Sequence, residues 1–281
     1  MMARVKSIIS FEGSLFDTTF YQMNGKSYAR QKKQSNKKDF LSKDSYKGSR
    51  RSCSEFGSAS SFGGAFRRVL YPMISTINTG YFSSRLTALF RKVLKGDMKS
   101  DLGERKVLEG DLTLLKGLEV STIDKVSLLL IGQVKATIDP ALHKVLFDFS
   151  AVKRLNRNAF PAGATHYRIV PGVVMVGENP KKSGQLINPE FTENKFKEIG
   201  NPEREINRII PFRQNYSNML CCPVLGIYFY QQINGEFYEL KTGAALQVVA
   251  SERLLRPDLP SDVGRNWKDW IKGLASGILK G

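Results

Sequence analysis

The chain is predicted to be α+β: an N-terminal β-hairpin and a helical hairpin, followed by an antiparallel β-sandwich and a short C-terminal amphipathic helix. Three observations predict it. Asn24-Gly25 and Asn234-Gly235 each stand between aromatic-bearing runs, and Asn-Gly suits a two-residue type I′ turn because both central residues need positive φ. From Phe56 to Leu94 apolar residues recur at helical spacing. Beyond Lys106 the period changes to short apolar runs separated by Gly, Pro, Asn and Asp. The chain is therefore expected to divide into a basic region over 1–110, a sandwich domain over 111–252 and a tail over 253–281.

Residues 5–11 form a short apolar run expected to pair with residues 18–22 in a small meander. Residues 32–51 hold Leu41 as their one aliphatic side chain among Lys, Ser, Asn and Gly, which predicts a mobile loop in the unbound protein. Ser52-x-x-Glu55 matches a capping box and opens the first predicted helix, with Phe56, Ala59, Phe62, Phe66, Val69, Leu70, Met73 and Ile77 along its apolar stripe. Gly57, Gly63 and Gly64 weaken that helix by up to ~1 kcal/mol each relative to Ala, and Pro72 predicts a kink. Asn78 or Thr79 is the expected cap of a second helix that carries Tyr81, Phe82, Leu86, Leu89, Phe90, Val93 and Leu94 on one face and ends near Gly96. The link between the two is short, so they are expected to form an α-hairpin.

The predicted strands are residues 114–120, 133–138, 143–149, 167–176, 223–233, 236–241 and 246–250. Residues 181–214 are polar and proline-punctuated and read as an edge excursion. In the tail, Trp267, Trp270, Ile271 and Leu274 share one helical face, which is expected to dock on the protein itself or on a partner.

Charge narrows the function more than any motif does. The 281 residues are 41% hydrophobic, as in an ordinary globular protein, yet carry a formal charge of +17. Splitting the chain after Gly110 puts +12 on the first part and +5 on the rest. Between Lys26 and Arg51 ten Lys and Arg face two acids, Asp39 and Asp44, a density that repels itself unless something anionic lies beside it. The expected partner is nucleic acid, DNA or RNA, or else an acidic protein surface. Lys26, Arg30, Lys32, Lys33, Lys37, Lys38, Arg50 and Arg51 are the expected phosphate contacts, with Arg67, Arg68, Arg85, Arg91 and Lys92 extending the path along the helices. Tyr21, Tyr28, Tyr46 and Phe40 supply rings for stacking on unpaired bases or for packing against sugars.

Catalytic and metal chemistry find little support. Gly25-Lys26-Ser27 lacks the first glycine of a P-loop, since position 20 is Phe, and sits in a hairpin instead of a strand-to-helix turn. Cys53, Cys221, Cys222, His143 and His166 lack zinc-site spacing, and adjacent strand residues such as Cys221 and Cys222 point to opposite faces. A Cys/His nucleophile built on His166 would need a proximity that the spacing does not predict. Asp148, Glu178, Glu190 and Glu193 show no spacing that marks paired catalytic carboxylates.

The expectation is a non-enzymatic protein without metal or cofactor. Three cysteines make no even disulfide framework, no apolar run reaches the ~20 residues of a membrane span, and no secretory signal is evident, so a cytoplasmic location is expected. The second expectation is a structural subunit of a larger particle or surface assembly, using the basic arm and the Trp-bearing tail for protein contacts and for self-assembly. A third is a carbohydrate-binding sandwich with Tyr228, Tyr230 or Tyr238 as platforms.

Phe20-Tyr21, Gly25-Lys26, Tyr28 and Arg30, followed by Glu55-Phe56-Gly57 and by Ser84-Arg85-Leu86-Thr87, make the chain resemble a family of uncharacterised basic proteins from Bacteroidota. The run from Phe160 to His166 and the hairpin over 226–243 are similar to that family's β part. The resemblance covers roughly residues 5–251, implies the helical pair and the β-rich half, and carries no family function; the tail after Arg253 departs from it.

Overall fold

Both Asn-Gly turns form, with φ of 52° and 70° at Asn24 and Gly25 and of 53° and 88° at Asn234 and Gly235. The computed structural model describes residues 2–4, 12–31, 37–180, 183–187, 196–200, 207–212 and 218–255. Its contacts separate two units, Met1–Cys53 and Ser54–Gly281, so the division falls between Cys53 and Ser54 and not after Gly110.

In the first unit, β1 (Met2–Arg4), β2 (Gly13–Leu15), β3 (Thr18–Met23) and β4 (Lys26–Gln31) form an antiparallel sheet in the order β1-β4-β3-β2. β3 thus pairs with β2, while β1 pairs across β4; residues 5–11, expected to pair with β3, lie outside the described residues.

The expected mobile loop is helical from residue 37 onward. α1 (Lys37–Ser42) leads through a 3₁₀ turn, Asp44–Tyr46, into α2 (Lys47–Ile74). Arg50 explains the order. Its guanidinium donates to the carbonyl of Phe40 in α1 at 2.7 Å and to that of Lys43 just past its end at 2.8 Å, and Phe40 tilts against Tyr46 with ring centroids 5.6 Å apart. Among residues 12–31 and 37–53 no side chain is fully buried.

In the second unit, α2 continues and packs on α3 (Phe82–Lys95). The capping box does not open α2, which has already run for a full turn when it reaches Ser52. Glu55 turns inward instead, accepts the Gly103 N–H at 3.0 Å and faces Arg105 at 3.8 Å. α3 also starts later than expected, after Tyr81, with the Thr79 carbonyl accepting from Phe82 N–H. Phe62 and Phe66 both meet Phe90 at 6.0 Å. At Gly63 the helices are close: a Cβ there would already touch Leu86 Cβ and the Thr87 nitrogen at 3.5 Å, which leaves little room for a larger side chain. Pro72 lies in the last turn of α2, which ends two residues later.

After the pair, the predicted strand over 114–120 is a 3₁₀ turn, Leu112–Leu115, and a single bridge between Glu119 and Gln247. α4 (Val126–Leu129) precedes β5 (Leu130–Ile131), β6 (Lys135–Asp139), β7 (Lys144–Asp148), β8 (Arg154–Leu155) and β9 (His166–Gly177). Then come β10 (Gly184–Ile187), β11 (Lys197–Glu198), β12 (Arg208–Pro211) and β13 (Met219–Ile233). β14 (Glu236–Glu239), β15 (Ala245–Val248) and β16 (Glu252–Leu254) close the described chain. The predicted C-terminal helix lies outside the described residues.

The protein is therefore α+β, and its sheet is antiparallel. β9 and β13 pair from His166 opposite Tyr230 to Gly177 opposite Met219, and are flanked by β10 and β11 on one side and by β14, β15 and β16 on the other. Parity separates two cores. The even-numbered Val170, Val174, Val176, Leu220, Cys222, Val224, Tyr228 and Tyr230 join α2 and α3. The odd-numbered Tyr167, Ile169, Val173, Met175, Cys221, Leu225, Ile227 and Phe229 join α4 and the three-stranded sheet β12-β7-β6. The α2–α3 pair and the β12-β7-β6 sheet thus cover opposite faces, and the helical pair belongs with the large sheet. Gly172 makes room for Met73, and the ring of Tyr228 lies over Gly226 while its hydroxyl donates to the Met73 carbonyl at 2.6 Å. That bond satisfies an acceptor at the end of α2.

Two glycines of one helix therefore differ in consequence. Gly64 is exposed with nothing within 4 Å of an added Cβ, so Gly64→Ala is expected to raise the urea-unfolding free energy by up to ~1 kcal/mol. Gly63→Leu should lower it by roughly 1–3 kcal/mol, because the larger side chain meets α3.

Candidate nucleic-acid interface

The thirteen cations expected to meet phosphate divide by what the fold already asks of them. Lys32 and Lys33 lie outside the described residues. Arg50 donates to the carbonyls of Phe40 and Lys43 and Arg85 to those of Glu119 and Val120, the latter at 2.6 and 2.9 Å, so both already serve the fold. Arg91 stands over the exposed ring of Phe56 at 5.8 Å. Lys26, Arg30, Lys37, Lys38, Arg67, Arg68, Arg91 and Lys92 are exposed, and Arg51 is half-buried. Among the described residues Lys43 is paired with Asp39 at 2.7 Å, whereas no carboxylate pairs with Lys26, Lys37, Lys47, Arg51, Arg67 or Lys92.

The first unit holds the denser charge. Residues 1–53 contain twelve Lys and Arg against four acids, and residues 54–281 contain 31 against 22. The excess is thus +8 on 53 residues and +9 on 228.

Within that unit the hairpin register groups particular side chains. Counting outward from Asn24-Gly25, Met23 faces Lys26, Tyr21 faces Tyr28 and Thr19 faces Arg30. Residues directly opposite share a face, as do residues two apart, so these six lie together. Geometry agrees: the Tyr21 and Tyr28 rings lie within 22° of parallel with centroids 5.8 Å apart, and the Arg30 guanidinium stands 5.6 Å from the centre of Tyr21. Ser14 in β2 meets Thr19 on the same side, hydroxyl to hydroxyl at 3.2 Å. Charge and aromaticity mark each of these residues singly; the signal for their common face is the turn midpoint, which fixes every opposite pair.

Groups that chemistry would need elsewhere are consumed by packing. Cys221 and Cys222 are both buried, one in each core, and burial pushes the Cys221 thiol up to about 12 and the Cys222 thiol above its usual value. His166 stands opposite Tyr230, eight register positions from Cys222, about 26 Å along the sheet at ~3.3 Å per residue. Among the described residues no three His, Cys, Asp or Glu gather as a metal site requires. Asp148 accepts from Ser150 and Glu178 pairs with Lys106 at 3.4 Å, while Glu190 and Glu193 lie outside the described residues.

Tyr228 and Tyr230 are 5% and 8% exposed, so neither is a carbohydrate platform; Tyr238 is exposed. A cleft of about 470 Å³ beside α4 has Lys116, Ser127, Gln133 and Gln247 as its polar lining and no His, Cys, Asp or Glu on its wall. The Trp267, Trp270, Ile271 and Leu274 face lies outside the described residues. Among the described residues no helix is long and apolar enough to cross a membrane.

Buried acids hold loops. Burial pushes the Glu119 carboxyl up in pKa, against the opposing N–H bonds of Ser127 and Val126. Asp97 goes the other way. Burial raises its pKa, but N–H groups of Lys106, Lys99 and Ser100 and the Ser100 hydroxyl stabilise the carboxylate and bring it to about 2. No family model, curated protein or solved structure matches the chain.

The depressed Asp97 contributes stability that is present above its unfolded pKa near ~3.9 and is lost as pH falls through its folded value of about 2. Asp97→Asn is expected to lower the urea-unfolding free energy by roughly 1–3 kcal/mol at pH 7. The gap to the parent should stay level down to about pH 5 and narrow between about pH 4 and 2.

Proposed function

We propose that the protein is a non-enzymatic, nucleic-acid-associated accessory or structural protein that contacts the phosphate backbone through its N-terminal unit. The observation that carries this reading is the concentration of exposed cations, Lys26, Arg30, Lys37 and Lys38, on a unit with an excess of +8 in 53 residues. Lys and Arg neutralise phosphates and release counterions, a chemistry tolerant of sequence. Arg67, Arg68, Arg91 and Lys92 are the further phosphate contacts in the second unit. The large antiparallel sheet with β12-β7-β6 over one face acts as a sandwich-like scaffold, and the protein works in the cytoplasm.

Replacing Lys26, Arg30, Lys37 and Lys38 together by Gln should weaken binding to unrelated DNA and RNA sequences about equally. For every phosphate that is no longer neutralised, the slope of log affinity against log salt should flatten by about 0.9 on duplex DNA and about 0.7 on single strands. Binding and slope unchanged from the parent would remove the assignment. No binding at low salt by the folded parent, together with elution as a defined oligomer free of nucleic acid, would move the positive charge to an acidic protein neighbour and make an assembly subunit the better reading.

A further inference from the structure

We infer that one face of the β1-β4-β3-β2 sheet is a stacking platform for single-stranded nucleic acid, with Tyr21 and Tyr28 receiving unpaired bases and Lys26 and Arg30 holding the adjoining phosphates. The inference rests on the nucleic-acid reading above and adds which kind of polymer the N-terminal unit takes.

Four side chains carry it. The register sets Tyr21 directly across from Tyr28, with Lys26 and Arg30 two residues to either side of Tyr28 on the same strand and the same face. Same-face neighbours along a strand are about 6.6–6.8 Å apart, so the rings lie between two cations, each within a long side chain's reach of a phosphate attached to a base on the rings. The half-buried, near-parallel rings have centroids 5.8 Å apart, and the Arg30 guanidinium lies over the Tyr21 ring as a flat cationic surface on which a base can stack in turn. Thr19 and Ser14 continue the face with small hydroxyl side chains.

Charge alone does not distinguish single strands from duplex, because both present phosphates. The rings do. In a duplex each base is covered above and below by its neighbours, and only edges and phosphates are offered to a protein surface. Aromatic side chains on an open sheet meet base faces only where the bases are unstacked. The opposite face of the hairpin sets Thr18 across from Gln31, Phe20 across from Ala29 and Gln22 across from Ser27, so no two rings stand directly opposite each other there. DNA and RNA share the stacking chemistry, and the 2′-hydroxyl is what separates them.

The test uses the full chain and fluorescently labelled 20-nucleotide single-stranded DNA, the matching single-stranded RNA and the DNA duplex, each titrated across salt. Tyr21→Ser with Tyr28→Ser is expected to weaken binding to at least one single strand about tenfold or more while changing duplex affinity by less than about twofold, with the salt slope retained. Tyr21→Phe with Tyr28→Phe keeps the rings and should bind like the parent, which guards against a folding defect in the Ser variant. A loss of the same size on single strand and duplex, or no loss on either single strand, overturns the platform. If those results come with steep salt dependence in the parent, the phosphate reading stands without the platform; if the folded parent binds none of the three, both fall. Selective loss on RNA assigns the platform to RNA, on DNA to DNA, and equal loss to both.

Discussion

The pairing of β9 with β13 is the constraint on which the second unit depends. Both strands are buried on both faces over most of their length, so alternate side chains belong to different cores. A one-residue slip would exchange the two sets and put Tyr228 under the three-stranded sheet, away from the Met73 carbonyl it now satisfies. Burial pushes the Tyr228 hydroxyl up in pKa, so it remains a donor to the end of α2. Gly172 and Gly226 lower the sheet surface where Met73 and the Tyr228 ring must lie. The same double burial makes the interior chemically quiet, because the thiols it encloses are protonated and the acids at its margin are spent on backbone N–H groups.

Function is therefore sought at surfaces, and there the cations sort into two kinds. Arg50, Arg85, Arg253 and Lys43 complete the protein's own carbonyls or carboxylates. Lys26, Lys37, Arg67 and Lys92 present charge outward without an acidic partner among the described residues. Net charge by itself does not make that distinction. Geometry does, and the denser charge lies on the N-terminal unit, whose small sheet also carries paired tyrosines on one face.

Much of the fold is legible in the sequence, and the rest fails for identifiable reasons. Asn24-Gly25 and Asn234-Gly235 set turn and register because few other residues take positive φ so readily. β9 and β13 stand out as apolar runs, and the helical stripes are regular. The loop expected over 32–51 misleads because α1 and the first turns of α2 lack an apolar stripe; they are held by Arg50 reaching back to carbonyls of Phe40 and Lys43, a contact with no periodic signature. The capping box at Ser52 misleads because Glu55 is claimed by Gly103 and Arg105, partners about fifty residues away. The 114–120 strand holds only in its second half, where Gly117, Leu118 and Val120 exchange backbone hydrogen bonds with Leu246 and Val248, because Leu112–Leu115 winds into a 3₁₀ turn. Among candidate site residues, Lys26, Lys37 and Lys38 are exposed as their charge suggests, while Arg50 and Arg85 go to tertiary bonds that charge counting does not register.

Hydrogen exchange with and without a single-stranded oligonucleotide at low salt tests the central claim most directly, since it reports where contact occurs without altering a residue. New protection is expected in amides of Thr18–Met23 and Lys26–Gln31, whose side chains are exposed or half-buried, and in residues 37–51, with β9 and β13 unchanged because both are already buried on both faces. Protection confined to the second unit, or none at all on an oligonucleotide that binds, would contradict it.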